Sequence, residues 1–465
     1  MSTDPPAPPV TLDRQLDTPL AVQLADALRS AAADGRLRSG DRLPSTRALA
    51  ARLKVSRTVT AAAYEQLHAE GWIAGKHGSG TYITTAPPGS SLPDRPPRPR
   101  STATERTLID MSPGSPWAGG IDRAAWRRAW RAAADAEPLL RPERGGLPEF
   151  RAVIAEHLLR HRGLRVGVED ETVLATGGTT SAVFELAAAV LGRGATVAVE
   201  EPGYQRAVQA MTAAGLKVVP APVDVEGFRV DSVPMAVNAV YCSPSHQYPL
   251  GGRMPAARRV ELVERARRDG WLVIEDDYDG ELRYDVAPLP LLAALAPDVV
   301  VHLGTTSKIL TPTLGAGWMV APPAVVSAVL THRDVTGIGP AVAGQRVLVE
   351  LARHGDLGRH LRRLRRELSE RRSLVVDALQ AAGLEVLGDD AGAHVVVPLE
   401  SARAEREVRL GAEKFGVRVD GLARHYVGRP RWHGILLGYA ACSREALHST
   451  LPQLVDLLRA TNTAG

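Results

Sequence analysis

Cysteine is nearly absent: Cys242 and Cys442 are the two thiols in 465 residues. Two thiols build no disulfide framework, and this pair has no metal-site spacing. Long apolar runs are missing too; none approaches the roughly 20 residues that a membrane-crossing helix needs. The first ten residues, MSTDPPAPPV, have neither a basic start nor an apolar core, so they do not read as a secretory signal. These absences point to a cytoplasmic protein without a membrane partner. Excess charge is also scarce. Lys and Arg total 56 against 52 Asp and Glu, a net charge of +4, so any nucleic-acid contact must come from a local patch. The length allows two to four domains, and 45% hydrophobic residues is ordinary for a globular chain.

Residues 1–17 are Pro-rich and polar. From Pro19 a helical pattern begins, with Leu20, Leu24, Ala27 and Leu28 on one face, and it ends near Gly35. Ser45 or Thr46 then caps a short helix to Leu53. Lys54-Val55 turns, and Ser56 caps a second helix to about Ala69. Val59, Ala63 and Leu67 form its expected inward face, while Arg57, Thr58, Thr60 and Ala61 point elsewhere. Residues 72–74 and 81–83 read as two strands joined by a glycine-rich tip at 75–80. This succession of helices and a hairpin is that of a winged helix-turn-helix. Between positions 36 and 76, eight basic residues face three acidic ones, a modest positive footprint suited to phosphates. A small helical interaction domain with a solvated basic face shares that pattern.

Four stretches carry a resemblance: Arg42-Leu43-Pro44-Ser45-Thr46-Arg47-Ala48-Leu49-Ala50, Val55-Ser56-Arg57-Thr58-Val59, Ala63-Tyr64-Glu65-Gln66-Leu67-His68-Ala69-Glu70-Gly71-Trp72-Ile73 and Gly78-Ser79-Gly80-Thr81-Tyr82-Ile83. Within a first domain at 1–84, about residues 18–84 resemble the GntR-type winged-helix domain. The resemblance implies double-stranded operator DNA as a partner. It places contacts at Arg42, Ser45 and Arg47, at Ser56, Arg57 and Thr58 where the recognition helix starts, and at Lys76, His77 and Gly78 in the wing. Residues 85–107, with Pro87-Pro88-Gly89 and Pro96-Pro97-Arg98-Pro99-Arg100, read as a semi-extended linker.

From 108 to 465, short apolar strands alternate with helical segments, which predicts an α/β domain on a mostly parallel sheet. Gly177-Gly178-Thr179-Thr180 lies between a strand at 173–176 and a helix at 182–191. It is a phosphate cradle of backbone N–H groups, or only a turn. The strand at 197–200 closes in Glu201-Pro202-Gly203-Tyr204. Residues 239–244 form another, followed by Ser245-His246-Gln247-Tyr248-Pro249-Leu250-Gly251. The strand at 271–274 ends in Glu275-Asp276-Asp277-Tyr278-Asp279. Four acids in five positions make a solvated turn, a metal site, or a carboxylate set under a heterocyclic nitrogen to keep it protonated. Residues 299–303 run into Gly304-Thr305-Thr306-Ser307-Lys308. A lysine at the carboxyl end of a parallel strand stands where open α/β sheets bind ligands. Burial there makes its amine nucleophilic toward an aldehyde, whereas most loop lysines are simply solvated.

In chain order these are a phosphate turn, an aromatic cover, a ring-nitrogen carboxylate, a phenol and an amine. Together with Pro244-Ser245-His246-Gln247 and Gly280-Glu281-Leu282-Arg283-Tyr284, they resemble the MocR-type regulators. These fuse a GntR domain to a domain of the aspartate-aminotransferase fold, with a large mostly parallel sheet and a small α+β subdomain, here at about 345–465. The resemblance covers nearly the whole chain. It implies pyridoxal 5′-phosphate bound covalently by Lys308. Asp276 would pair with the pyridine nitrogen, Tyr278 with the ring hydroxyl, and Tyr204 would stack on the ring. Gly178, Thr179 and Thr305 would contact the phosphate, and Arg431 (or Arg429) an effector carboxylate. A domain-swapped, head-to-tail homodimer is implied as well. The run His360-Leu361-Arg362-Arg363-Leu364-Arg365, with Arg371-Arg372, also fits; by composition it is a basic amphipathic helix.

Three positions depart from that pattern. Gly315 stands where relatives carry a phosphate-binding arginine, Tyr248 where aminotransferases carry an asparagine, and Arg141-Pro142-Glu143-Arg144-Gly145-Gly146 where they carry a Tyr-Gly-Asp-Pro segment. A charge-assisted contact is worth roughly 1.5–3 kcal/mol, so the lost arginine matters. Arg141 of the partner subunit is the expected replacement. The expectation is a cofactor-dependent transcriptional regulator that senses an amino compound. Its rivals are a working aminotransferase with a DNA-binding domain and a regulator that has lost the cofactor.

Overall fold

The computed structural model describes residues 8, 10–76, 80–85, 108–166 and 172–462. The chain divides into two compact units, Met1–Ala103 and Thr104–Gly465. His77, Gly78 and positions 86–107 of the expected linker lie outside the described residues.

The first unit contains α1 (Leu20–Ala33), β1 (Arg42–Leu43), α2 (Thr46–Leu53), α3 (Arg57–Ala69), β2 (Ile73–Lys76) and β3 (Gly80–Ile83). Ser45 accepts the Ala48 N–H and Ser56 the Val59 N–H, so each hydroxyl satisfies a donor that a helix start leaves unpaired. Leu24, Leu28, Leu49, Ala63 and Leu67 meet in one small core. Thr60, not Val59, belongs to the buried face of α3. It is 0% exposed, and its hydroxyl donates to the Thr46 carbonyl at 2.9 Å. Buried positions 60, 63, 64 and 67 keep helical phase, so a face begun at Val59 is one residue out of register. The wing has a third strand, because β1 pairs antiparallel with β3, Arg42 opposite Tyr82. Two residues are too few to show a period.

The second unit begins with β4 (Ile109–Asp110), α4 (Arg123–Asp135) and α5 (Pro148–Arg162). Its main sheet comprises β5 (Val173–Thr176), β6 (Thr196–Glu201), β7 (Lys217–Asp224), β8 (Gly227–Phe228), β9 (Ala239–Cys242), β10 (Leu272–Asp277), β11 (Val300–Thr305) and β12 (Gly317–Val320). Between them come α6 (Thr179–Leu186), α7 (Gln205–Ala213), α8 (Ala256–Asp269) and α9 (Leu292–Leu295). The spatial order is β5-β12-β11-β10-β9-β6-β7-β8, parallel from β11 to β7, with β12 and β8 antiparallel to their neighbours. Alternate residues feed two cores. Ala198, Val240, Val273 and Val300 enter one, and Val199, Tyr241, Ile274 and Val301 the other. Burial on both faces is why these strands read as unbroken apolar runs.

Next come α10 (Pro323–Thr336), α11 (Val342–Arg353) and α12 (Asp356–Ala381). The chain then runs through β13 (His394–Leu399), α13 (Ala402–Lys414), β14 (Val417–Arg418), β15 (Asp420–Gly421), β16 (His433–Gly438) and α14 (Arg444–Asn462), and three of these strands form a smaller sheet. Its order is β13-β16-β15, while β14 pairs with β4. Much of the basic run on α12 is structural. Arg371 lies over the Trp117 ring at 4.9 Å and donates to the Ala440 carbonyl at 2.7 Å. Arg363 donates to the Gly120 carbonyl. Among the described residues, no helix is long and apolar enough to cross a membrane.

Candidate functional site

The carboxyl ends of β5, β6, β9, β10 and β11 converge on a cavity of about 490 Å³. This is the rim where parallel strands deliver side chains to a ligand. Gly178, Thr179, Tyr204, Asp276, Tyr278, Thr305 and Lys308 all line it, so residues spread over 130 positions come together.

The Lys308 amine donates to the Gly114 carbonyl at 2.7 Å, and burial lowers its pKa. Asp276 sits on β10 opposite Leu303 of β11 and is 3% exposed. Its Oδ2 accepts from the Tyr241 hydroxyl, but its Oδ1 is buried without a partner. Burial pushes this carboxyl up to about 7. An unsatisfied buried acceptor costs about 1–3 kcal/mol, so this oxygen favours a ligand that donates to it.

The acid run is a division of labour. Strand β10 continues through Asp277, so three of the acids lie inside it rather than beyond its end. Glu275 accepts the N–H groups of Leu292 and Ala293 at 2.7 and 3.0 Å. Asp277 pairs with the buried Arg162 at 2.6 Å. Asp279 meets His246, and Glu281 meets His157. Asp276 alone among them lines the cavity with one buried carboxyl oxygen, Oδ1, left unpaired.

At the other end, Gly178 enters α6 at φ +124°, a conformation that favours glycine. A Cβ on Gly317 would lie 2.7 Å from the Gly178 Cα, so the backbones meet closely here. The first residues of α6 line the cavity, at the end where a helix leaves its N–H groups without intrahelical partners and its dipole is positive. The Thr305 hydroxyl donates to Ser307 Oγ at 2.9 Å. The Tyr204 hydroxyl lies 3.3 Å from Thr180 Oγ1, and its ring meets Tyr248 edge-on at 5.9 Å. Tyr248 therefore packs among the cavity's aromatics, 5.8 Å from the Tyr278 ring.

The structure does not bring Arg431 to this cavity. Arg431 lines a second one of about 770 Å³, with Trp432 and Arg253. Arg206 and Arg424 line the Lys308 cavity instead. A signal for Arg206 existed, since it follows the Glu-Pro-Gly-Tyr turn by two residues. None existed for Arg424. Its segment is docked by tertiary contacts: Glu201 accepts the Val427 and Gly428 N–H groups, and the His425 carbonyl accepts from Gly203. Tyr241 and Gly114 were also missed, as an ordinary strand residue and an ordinary loop residue. Arg141 is exposed between α4 and α5 and is not among the lining residues. In the first unit, Arg42, Ser45, Arg47, Ser56, Arg57 and Thr58 are exposed, and Lys76 closes β2.

Residues 118–447 match the aminotransferase class I and II family, and residues 20–83 match the bacterial regulatory proteins of the gntR family. The chain belongs to the aminotransferase class I and II family, with a gntR-family domain ahead of that fold. The HTH-type pyridoxine biosynthesis transcriptional regulator PdxR of Corynebacterium glutamicum is 34% identical, over 96% of this chain and 98% of that protein. The probable rhizopine catabolism regulatory protein MocR of Rhizobium meliloti is 31% identical, over 98% and 97% respectively. Kynurenine aminotransferase of Pyrococcus horikoshii shares the fold, with a TM-score of 0.69 at 24% identity over 76% of this chain and 91% of that one. This family member is an HTH-type transcriptional regulator with an aminotransferase-like domain.

Proposed function

We propose that the aminotransferase-like unit binds pyridoxal phosphate through Lys308 and senses an amino compound, and that the winged helix carries this state to operator DNA in the cytoplasm. The observation that carries the reading is Asp276, which lines the cavity that also holds the Lys308 amine and keeps one buried carboxyl oxygen, Oδ1, without a partner. A protonated ring nitrogen satisfies that oxygen, and its positive charge draws the carboxyl back down. Thr179, Thr305 and the N–H groups at the start of α6 hold the phosphate. Tyr204 covers the ring, and Tyr278 meets the ring hydroxyl. Bound there, the cofactor supplies an aldehyde carbon open to attack by amines. The lowered pKa of Lys308 keeps more of it as free amine, and the Gly114 carbonyl fixes its position.

Arg206 and Arg424 replace Arg431 in our assignment of the effector's carboxylate. Arg141 of the partner subunit remains our assignment for the phosphate charge that Gly315 lacks, in a domain-swapped, head-to-tail homodimer. Residues 1–84 would then bind DNA through the exposed side chains of α2, α3 and the wing, 85–107 would tether, and 108–465 would sense, with the small subdomain at about 345–465. A working aminotransferase is not favoured, because the relatives that match the whole chain are regulators. The test is operator affinity measured with pyridoxal phosphate and a panel of amines. An effective amine should shift the affinity at least about tenfold, roughly 1.4 kcal/mol, and Lys308→Ala should lose the response. An equal response in Lys308→Ala would sink the reading.

A further inference from the structure

Behind Tyr278 lies a buried pair that decides where its hydroxyl proton points. His246 Nδ1 stands 2.9 Å from Asp279 Oδ2 and 3.0 Å from the Tyr278 hydroxyl oxygen. His246 is 3% exposed and Asp279 4%. The imidazole is boxed in. A Cβ on Gly392 would lie 2.2 Å from its Cε1, and one on Gly251 would lie 3.3 Å from its Nε2.

One nitrogen thus faces two oxygens and carries at most one proton. A carboxylate only accepts. Were Nδ1 bare, its lone pair would face the Asp279 oxygen with no proton between two buried acceptors. The form with a proton on Nδ1 is therefore the one that satisfies Asp279. A protonated Nδ1 cannot accept from Tyr278, so the phenol must donate elsewhere, and Tyr278 lines the Lys308 cavity. Burial, then the nearby carboxyl groups, raise the phenol well above its ordinary range, so it keeps the proton to donate.

We propose that Asp279 and His246 are positioning residues that hold Tyr278 as a hydrogen-bond donor directed into the Lys308 cavity, toward an anionic ring oxygen of the ligand. The inference rests on the reading of that cavity as the pyridoxal phosphate site. A donor there stabilises the ring oxygen without its proton. The proton shared between that oxygen and the cofactor nitrogen then leaves at lower pH. The other titratable groups facing the trio are Asp276, Glu200, Lys308, Tyr248, Tyr284, Tyr439 and His394. None of them offers Nδ1 a shorter contact among the described residues.

The experiment is a pH titration of the visible band of the cofactor-loaded full chain. Asp279→Asn keeps the shape but removes the carboxylate charge that holds the proton on Nδ1. With that proton free to move to Nε2, Nδ1 can accept, and the Tyr278 proton is drawn back from the cavity. The titration midpoint should rise by about one pH unit, a tenfold change in proton affinity. Mere loss of a negative charge would move it down, because nearby negative charge favours the protonated nitrogen. In a Tyr278→Phe background, Asp279→Asn should produce no further rise. His246→Asn, whose amide N–H can stand in for Nδ1–H, should stay near the wild-type midpoint, whereas His246→Phe should rise. A midpoint in Asp279→Asn that is unmoved or lower overturns the positioning role, as does an equal rise without the phenol. If the wild type shows no band with excess cofactor, the cofactor reading itself fails, and the inference with it.

Discussion

Two large cavities lie among the described residues of the second unit, and the smaller holds the more perturbed groups. The 770 Å³ cavity is floored by Leu250, Val396 and Leu422, members of a small separate core. Both rims carry paired arginines: Arg253 stands 3.4 Å from Asp389 and 3.6 Å from Asp285 at the larger, and Arg424 2.7 Å from Asp420 at the smaller. The 490 Å³ cavity gathers an amine with a lowered pKa, a carboxyl pushed up to about 7 and an acceptor with no partner. Volume shows where a ligand would fit. Perturbed groups in a cleft mark chemistry better than size does.

The sharpest break between the two should come from Asp276→Asn. It replaces an ionic partner of the ring nitrogen with a neutral one, and cofactor affinity should fall about 100-fold, roughly 3 kcal/mol, in a fluorescence or absorbance titration. An affinity within threefold of wild type would remove the reason for preferring the smaller cavity.

The same residue predicts a pH effect in the cofactor-free protein. The folded-state pKa of Asp276, about 7, lies above its unfolded value, so its contribution is fully present below about pH 4. That contribution is lost as pH rises through about 7. By linkage the loss is up to about 4 kcal/mol. Asp276→Asn should therefore flatten the fall in thermal stability between about pH 4 and 7, read as the difference between variant and wild type.

A finer contrast sets one arginine of each cavity against the other. Arg424→Ala should weaken the response to a carboxylate-bearing amine about tenfold, roughly 1.4 kcal/mol, while Arg431→Ala changes it less than about twofold. The reverse order would restore Arg431 and move the effector site. The smallest effect should come from outside both cavities. Thr60→Val removes the hydroxyl that bonds the Thr46 carbonyl, and should cost the winged helix about 1 kcal/mol of stability while leaving cofactor affinity unchanged.

Residues at strand ends were legible in the sequence. Lys308, Asp276 and Tyr204 each follow an apolar run, and a parallel sheet carries such positions to one rim whatever the loops between them do. Gly178 was legible as the turn before a helix, and Ser45 and Ser56 as caps. What failed was phase and docking. A face begun at Val59 misses Thr60 by one residue, and a hydroxyl that bonds a distant carbonyl leaves no hydrophobic trace. The acids of β10 read as lying past the end of their strand because their partners, Arg162, His157 and the α9 backbone, come from elsewhere in the chain. Arg424 and Arg431 lie seven residues apart with no local cue between them; the contacts of Glu201 with Val427 and Gly428 decide which one reaches the cavity.

Lysine is the rare cation in this chain, with five copies among 56 basic residues, which makes the covalent claim simple to map. The most direct measurement is borohydride reduction of the pyridoxal phosphate-loaded protein, followed by mass analysis of its peptides. The account predicts one phosphopyridoxyl addition on the peptide that carries Lys308, absent in Lys308→Ala. An addition at another lysine, or none with excess cofactor, would contradict it.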